Sequence, residues 1–269
     1  MRIAFSIIAC ALLVCCAIQS PQAGPVGFRL SSSFSPLSVS GMAAWWAARL
    51  ETSYTNNASI GSVYDWTGNG LSLTQSTSSK KPLFLTGQKN GLPAFSADGV
   101  DDFLTGGDIL DIGTGSIHFF FVAKFDATAN PQPLAAKALA ASEFGRYFAG
   151  GIISSEWYSL AQDGTAVREA KGSVPNTNWH LFEFVVDRPN TRVELFVDGA
   201  SVGSNSSLAA GDLNTATRWL LFAQSNATDT GEVVWMQGKI AEVWCWKRVL
   251  SSSEIAALRS FANRIYAIY

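Results

Sequence analysis

Charge is scarce in this sequence. Asp, Glu, Lys and Arg together make up 15% of its 269 residues, against the ~25% usual for soluble domains, and the formal net charge is −2. No Lys/Arg run exceeds two residues, which excludes a polybasic surface and with it a nucleic-acid partner. Cysteine is almost confined to the first residues: Cys10, Cys15 and Cys16 lie there, leaving Cys245 alone in the body. A single cysteine makes no intrachain disulfide, so stability has to come from the core. Flanked by Trp244 and Trp246, Cys245 reads as a small buried hydrophobe. The two histidines, His118 and His180, each sit in a strand-like run, where a structural role is expected. Gly-Lys-Ser/Thr phosphate loops, paired Cys-x-x-Cys motifs, βαβ alternation and twenty-residue repeats are all missing.

What is present is apolar and neutral-polar. Hydrophobic residues reach 48%, so the polar faces must be built from Ser, Thr, Asn and Gly, a balance common in secreted or virion β-proteins. Arg2 is followed by the uncharged run Ile3 to Ile18 and by the turn-prone stretch Gln19 to Gly24. That pattern predicts a signal peptide over residues 1–23, cleaved after Ala23, with an uncleaved anchor or a lipoprotein as the alternative. Residues 24–42 are rich in Ser and Pro, lack periodicity and read as an arm or tether. Over residues 43–269, short apolar runs are separated by Gly, Asn, Asp and Pro about every ten residues, the rhythm of an antiparallel sandwich or barrel.

Ile117 to Phe125 is the longest strand candidate, apolar on nearly both faces, which places it in a sheet covered on both sides. Trp179 to Asp187, Val193 to Val197, Trp219 to Ala223, Val233 to Met236 and Ile240 to Trp246 follow. Asp198-Gly199 is a tight hairpin turn. One helix is predicted, at the C-terminal end: Ser251 and Glu254 form a capping box, and Ile255, Leu258, Ala262 and Ile265 an apolar stripe.

Four segments, taken in order, resemble a known family: Trp66 to Gly70; Gly91 to Leu104; Val193 to Gly203; and Gly238 to Val243 continuing through Arg248 to Ser251. Together they are similar to the laminin-G-like domains of the concanavalin A-like lectin/glucanase superfamily, over roughly residues 43–265. The resemblance implies an all-β fold, a jelly-roll sandwich of two curved antiparallel sheets closed by a short C-terminal helix. It also implies a role in binding sugars or proteins, as in adhesins, accessory modules of glycosidases and phage structural proteins.

An active site is not expected. The glucanase branch carries two Glu and an Asp within about five residues of one strand, because alternate strand residues share a face and retention needs carboxyls ~5–5.5 Å apart. Here the closest two of nine Glu are ten residues apart. No catalytic residue and no cofactor are assigned. Asp98, Asp101 and Asp102 crowd one loop with oxygen donors of the kind Ca²⁺ takes. The preferred reading of that loop is a tight turn at Asp98-Gly99, with Asp101 capping a local amide. Relatives often carry an acidic residue after the Ile of the last strand, where this chain has Ala241.

For sugar recognition, aromatic rings beside polar turns are the candidates, since a flat ring packs on the C–H face of a saccharide. Arg146, Tyr147, Trp157 and Tyr158 are chosen on that ground, with Trp157 equally able to pack beneath its own loop. Asn57, Asn205 and Asn226 open formal glycosylation sequons. The leading expectation is a non-enzymatic recognition module, carbohydrate-binding or adhesive, secreted or surface-displayed, with a glycan or glycoprotein partner. The alternatives are a structural subunit of a virion (capsid decoration or tail) or surface layer that assembles with itself or its neighbours, and a divergent glycoside hydrolase.

Overall fold

Ile117–Phe125 is the middle of the molecule, and its two apolar faces have two separate destinations. Ile117, Phe119, Phe121, Ala123 and Phe125 enter the core between two sheets, while Phe120 and Val122 enter a second core beneath the C-terminal helix. The structure is a computed structural model and describes residues 34–128, 131–138, 146–162, 167–208 and 211–269. The expected leader, residues 1–23, and most of the 24–42 arm lie outside the described residues.

Across the first sheet the order is Ala200–Asn205, Arg192–Val197, His180–Asp187, Ile117–Phe125, Gln237–Trp246, Leu92–Asp98, Leu83–Lys89 and Ala58–Ser59. Gln237–Trp246 is long enough to divide its far edge. Residues 237–240 pair with Leu92–Asp98, and residues 242–246 with the strand Met42–Ala47. The second sheet runs Val167–Gly172, Glu156–Gln162, Arg146–Ile153, Ala135–Lys137, Trp219–Leu221, Leu104–Gly107, Leu73–Thr74 and Ser62–Val63. Every pairing described is antiparallel, so the molecule is an all-β sandwich with one helix.

The core between the sheets is strongly aromatic. Trp46 and Trp219 lie 4.8 Å apart, and Phe119 stacks on Phe121 and Trp219. Adjacent Trp45 and Trp46 diverge, as strand alternation requires: Trp46 faces Trp219, and Trp45 faces the helix. Cys245 is fully buried in the same inter-sheet core. Asp198 and Gly199, at φ 53° and 80°, make the tight turn that their identities predict. The expected strand over 219–223 is interrupted at Phe222, whose φ of 72° breaks the ladder and starts the separate hairpin Ala223–Ser225/Glu232–Trp235.

The helix Ser252–Tyr266 begins as its sequence dictates. Ser251 accepts the Glu254 amide, Glu254 returns to the Ser251 N–H, and Arg248 holds Glu254 through two further bonds. Its buried side is Leu258, Phe261, Ala262 and Tyr266, laid over Phe120, Trp244 and Trp246. Residues 34–41, read as part of a loose arm, are instead pinned here. Phe34 packs edge-on against Phe261, Trp246 donates to the Val39 carbonyl, and Arg248 to that of Ser40. Among the described residues no helix is long and apolar enough to cross a membrane.

Candidate functional site

A shallow groove of about 450 Å³ runs along the outer side of the helix. Ser252, Ile255, Ala256, Arg259, Ser260 and Asn263 recur at three- and four-residue intervals and therefore share one helix face, with Tyr269 closing the end. Ala267 makes that closure: it adopts the left-handed conformation at φ 49°, its N–H bonds to the Asn263 carbonyl, and the chain turns back. The Tyr269 N–H then donates to Asn263 Oδ1 at 3.0 Å. Among the described residues Asn263 Nδ2 has no hydrogen-bond partner, and Tyr269 is left 55% exposed beside the groove.

Arg259 is fixed from beneath. Its Nε and Nη2 donate to the two oxygens of Glu183 at 2.6 and 2.9 Å, and its guanidinium lies 5.5 Å above the Phe196 ring. Glu183 is buried, and the fork-to-carboxylate geometry holds Arg259 in one orientation. Burial pushes the Tyr269 phenol above its ordinary range, with Glu183 and Asp198 adding to the effect and Arg259 opposing it. The groove thus combines an exposed aromatic ring, apolar Ile255 and Ala256, two hydroxyls, an amide and a guanidinium. An exposed aromatic beside uncharged hydrogen-bonding groups is a composition that can take up a small polar ligand.

A smaller cavity of about 280 Å³ is lined by Thr215, Ala216, Thr217, Thr228 and Asp229. Its polar groups satisfy one another: Thr215 with Thr217, Thr228 with Thr230, and Asp229 with Arg218 and Ser225. It has no aromatic wall.

The residues chosen from sequence fall elsewhere. Trp157 is only 2% exposed and packs in the inter-sheet core against Phe125, His180 and Phe182, so its ring is not the platform expected of it. A turn-flanking tryptophan faces inward here because strand alternation puts Trp157, Ser159 and Ala161 on one side. Tyr158, on the opposite face, is also buried, with its hydroxyl 3.4 Å from Glu169. Arg146 and Tyr147 pair through their backbones with Gln162 and Ala161, and their side chains lie outside the described residues.

Asp98, Asp101 and Asp102 do come together, with oxygens within 4.8 Å of one another. Asp98 Oδ1 accepts the Val100 N–H, which makes the expected turn, but the cap on the Asp98 amide comes from Asp102 rather than Asp101. Two of the cluster's oxygens are thereby occupied by backbone amides. The donors match Ca²⁺ in type, and no metal is assigned to them. Burial, and then the neighbouring Asp98 and Asp101, push the Asp102 carboxyl up to about 6. A raised carboxyl favours the fold at low pH and loses that contribution as pH rises through about 6. Asp102→Asn keeps an acceptor for the Asp98 amide. It is expected to raise the melting temperature by about 2 °C at neutral pH and to make no difference below about pH 4, read by thermal denaturation across that range.

Helix and tail residues were missed because Arg259, Asn263 and Tyr269 look like an ordinary solvated helix face. Only their three-to-four spacing beside a terminal aromatic signals a shared surface.

With this geometry in hand, comparison with known proteins is informative. A family model of laminin-G-like domains, described as the concanavalin A-like lectin/glucanases superfamily, matches residues 111–256, more than half of the chain. No curated protein sequence matches. Among solved structures, the binding domain of Paraclostridial Mosquitocidal Protein 1 superposes with a TM-score of 0.60 at 10% identity, over 83% of this chain and 53% of that one. The botulinum neurotoxin serotype D binding domain gives 0.56 at 11% identity, over 82% and 51%. Domain 4 of a GH43 extracellular arabinanase from Geobacillus stearothermophilus, in complex with arabinotriose, gives 0.50 at 15% identity, over 81% and 98%. The chain spans about half the length of the two toxin domains. At such identities the likeness is one of fold.

Proposed function

The chain belongs to the laminin-G-like family of the concanavalin A-like lectin/glucanase superfamily, and on that footing we propose that it is a non-enzymatic carbohydrate-recognition module whose ligand lies in the helix groove. The observation that carries this reading is the lining itself: an exposed Tyr269 ring beside Arg259, Asn263, Ser252 and Ser260. Sugars offer the matching pair of surfaces, an apolar C–H face for the ring and hydroxyls for the polar groups. Two of the structural neighbours are named as binding domains, and the arabinanase domain holds arabinotriose; both support the reading by analogy of fold.

A shallow open groove gains little per site, so useful affinity comes from several copies engaging one glycan surface together. The uncharged run from Ile3 to Ile18 supports export or surface display, which N-terminal sequencing of the natural protein checks: a start at Gly24 is the expected result, and an intact Met1 argues for an anchor or an assembly subunit.

The exposed Tyr269 ring is the place to test recognition. Tyr269→Ala is expected to weaken oligosaccharide binding by about tenfold or more, measured by isothermal titration on an immobilised or soluble glycan panel. The melting temperature should stay unchanged, because the ring contributes little to the core. Unaltered affinity in that variant would place the sugar elsewhere, and a chain that binds no saccharide at all would return the fold to structural-subunit use.

A further inference from the structure

We infer that the helix groove selects neutral saccharides and turns away those carrying a carboxylate, an inference that rests on the carbohydrate reading above. Arg259 is the one cation among the residues lining the groove. A sialic or uronic acid would need that guanidinium for its carboxylate, the bidentate partnership for which arginine is suited. Glu183 already holds it in that manner, through Nε and Nη2, on a buried carboxylate that cannot swing away.

A second carboxylate acts on the same region. Gly199 stands against Arg259, so closely that a Cβ there would be 3.5 Å from Nη1, and the adjoining Asp198 is fixed by Leu181 N–H and His180 Nδ1. The guanidinium is thus paired to Glu183, with a second carboxylate, Asp198, in the adjoining turn. The field of both carboxylates reaches the Tyr269 ring, where it adds to burial in holding the phenol protonated. An incoming carboxylate meets an arginine whose charge Glu183 already balances, with Asp198 adding a second negative charge felt at Tyr269. Hydroxyl groups meet a different surface. Ser252, Ser260 and the Asn263 amide supply uncharged partners, and Tyr269 supplies the ring.

The test uses the full chain and matched ligand pairs: lactose against 3′-sialyllactose, and arabinotriose against trigalacturonic acid, by saturation-transfer NMR and titration at pH 8. The acidic member of each pair is expected to bind about tenfold more weakly. That gap should narrow as salt rises from about 20 mM to about 0.5 M, because repulsion is screened and shape is not. Asp198→Asn, whose Oδ1 still accepts the Leu181 N–H while its Nδ2 can only donate toward His180, should narrow it as well, and the salt series decides the matter even if that variant folds poorly. Acidic sugars binding as tightly as neutral ones, or a gap that salt leaves untouched, would overturn the inference while leaving the groove a sugar site. Failure of both members of both pairs to bind would instead overturn the carbohydrate reading.

Discussion

Glu242→Ala is expected to cost about 3–5 kcal/mol of stability, the largest loss from any single substitution considered for this chain, with a fall in melting temperature on the order of 10 °C. Glu242 is fully buried under the helix and collects five donors. Oε1 accepts from Trp45 Nε1 at 2.6 Å, Trp244 Nε1 at 3.0 Å and Arg49 Nη2 at 2.9 Å. Oε2 accepts from Arg49 Nε at 2.9 Å and from the Tyr266 hydroxyl. One carboxylate therefore ties the first strand, the last strand and the end of the helix to each other.

Removing it leaves a half-buried guanidinium, two indoles and a phenol without their shared acceptor, which costs far more than a lost surface pair. The control is the double variant Glu242→Leu/Arg49→Met. Taking both partners away leaves no orphaned charge, so it should be less destabilised than Glu242→Ala alone. Thermal and denaturant unfolding of the three proteins measures this. A Glu242→Ala protein within about 1 kcal/mol of the parent would mean that the latch contributes no more than an ordinary hydrogen bond.

The second large effect is acid lability centred on His118. Its ring is buried, stacks on Phe120 with centroids 4.7 Å apart, and among the described residues has no hydrogen-bond partner for either nitrogen. Burial lowers its pKa to about 3, with Arg259 and Arg248 pushing the same way and Asp187 and Glu254 opposing them. Glu183 Oε2 lies 4.0 Å from Nε2, but burial raises that carboxyl, so it takes up a proton early on acidification.

The sign follows from these positions. The unfolded chain binds a proton at this ring near pH 6.5 and the folded one does not until about pH 3, so stability is present above pH 6.5 and drains away as pH falls toward 3. Over that span of about 3.5 units the loss amounts to roughly 5 kcal/mol. His118→Phe retains the stack on Phe120 and has nothing to protonate. It is expected to be more stable than the parent at neutral pH by about 1–2 kcal/mol, and to shift the midpoint of acid unfolding downward, as read by tryptophan fluorescence against pH. Parent and variant unfolding at the same pH would show that other groups set the acid limit.

Much of the fold was legible because it rests on short-range pattern. The doubly apolar strand Ile117–Phe125, the Asp198-Gly199 turn and the Ser251/Glu254 capping box each follow from residues within a few positions of one another. The strand Gln237–Trp246 shows where pattern stops. Strict alternation from Ile240, which faces the inter-sheet core, would send Glu242 into that core as well. A bulge between Ile240 and Glu242 intervenes: Ile240 stays opposite Ala123, Glu242 moves opposite Val122, and the carboxylate arrives under the helix. The bulge is stable there because Arg49, Trp45 and Tyr266 wait on that side, and they lie far from Glu242 in sequence.

The candidate site divides in the same way. Composition and periodicity alone determined that the chain folds as an antiparallel sandwich with one capped helix, since burial of alternating apolar residues depends on local spacing. They could not decide which aromatic stays outside. Trp157 beside a polar turn and Tyr269 at the end of a helix look equally eligible as text. The packed sheets enclose the first ring among Phe125, His180 and Phe182, while the left-handed turn at Ala267 lays the second along an open groove. Which side of a ring meets water is fixed by residues distant in the chain, and only the assembled layers bring those together.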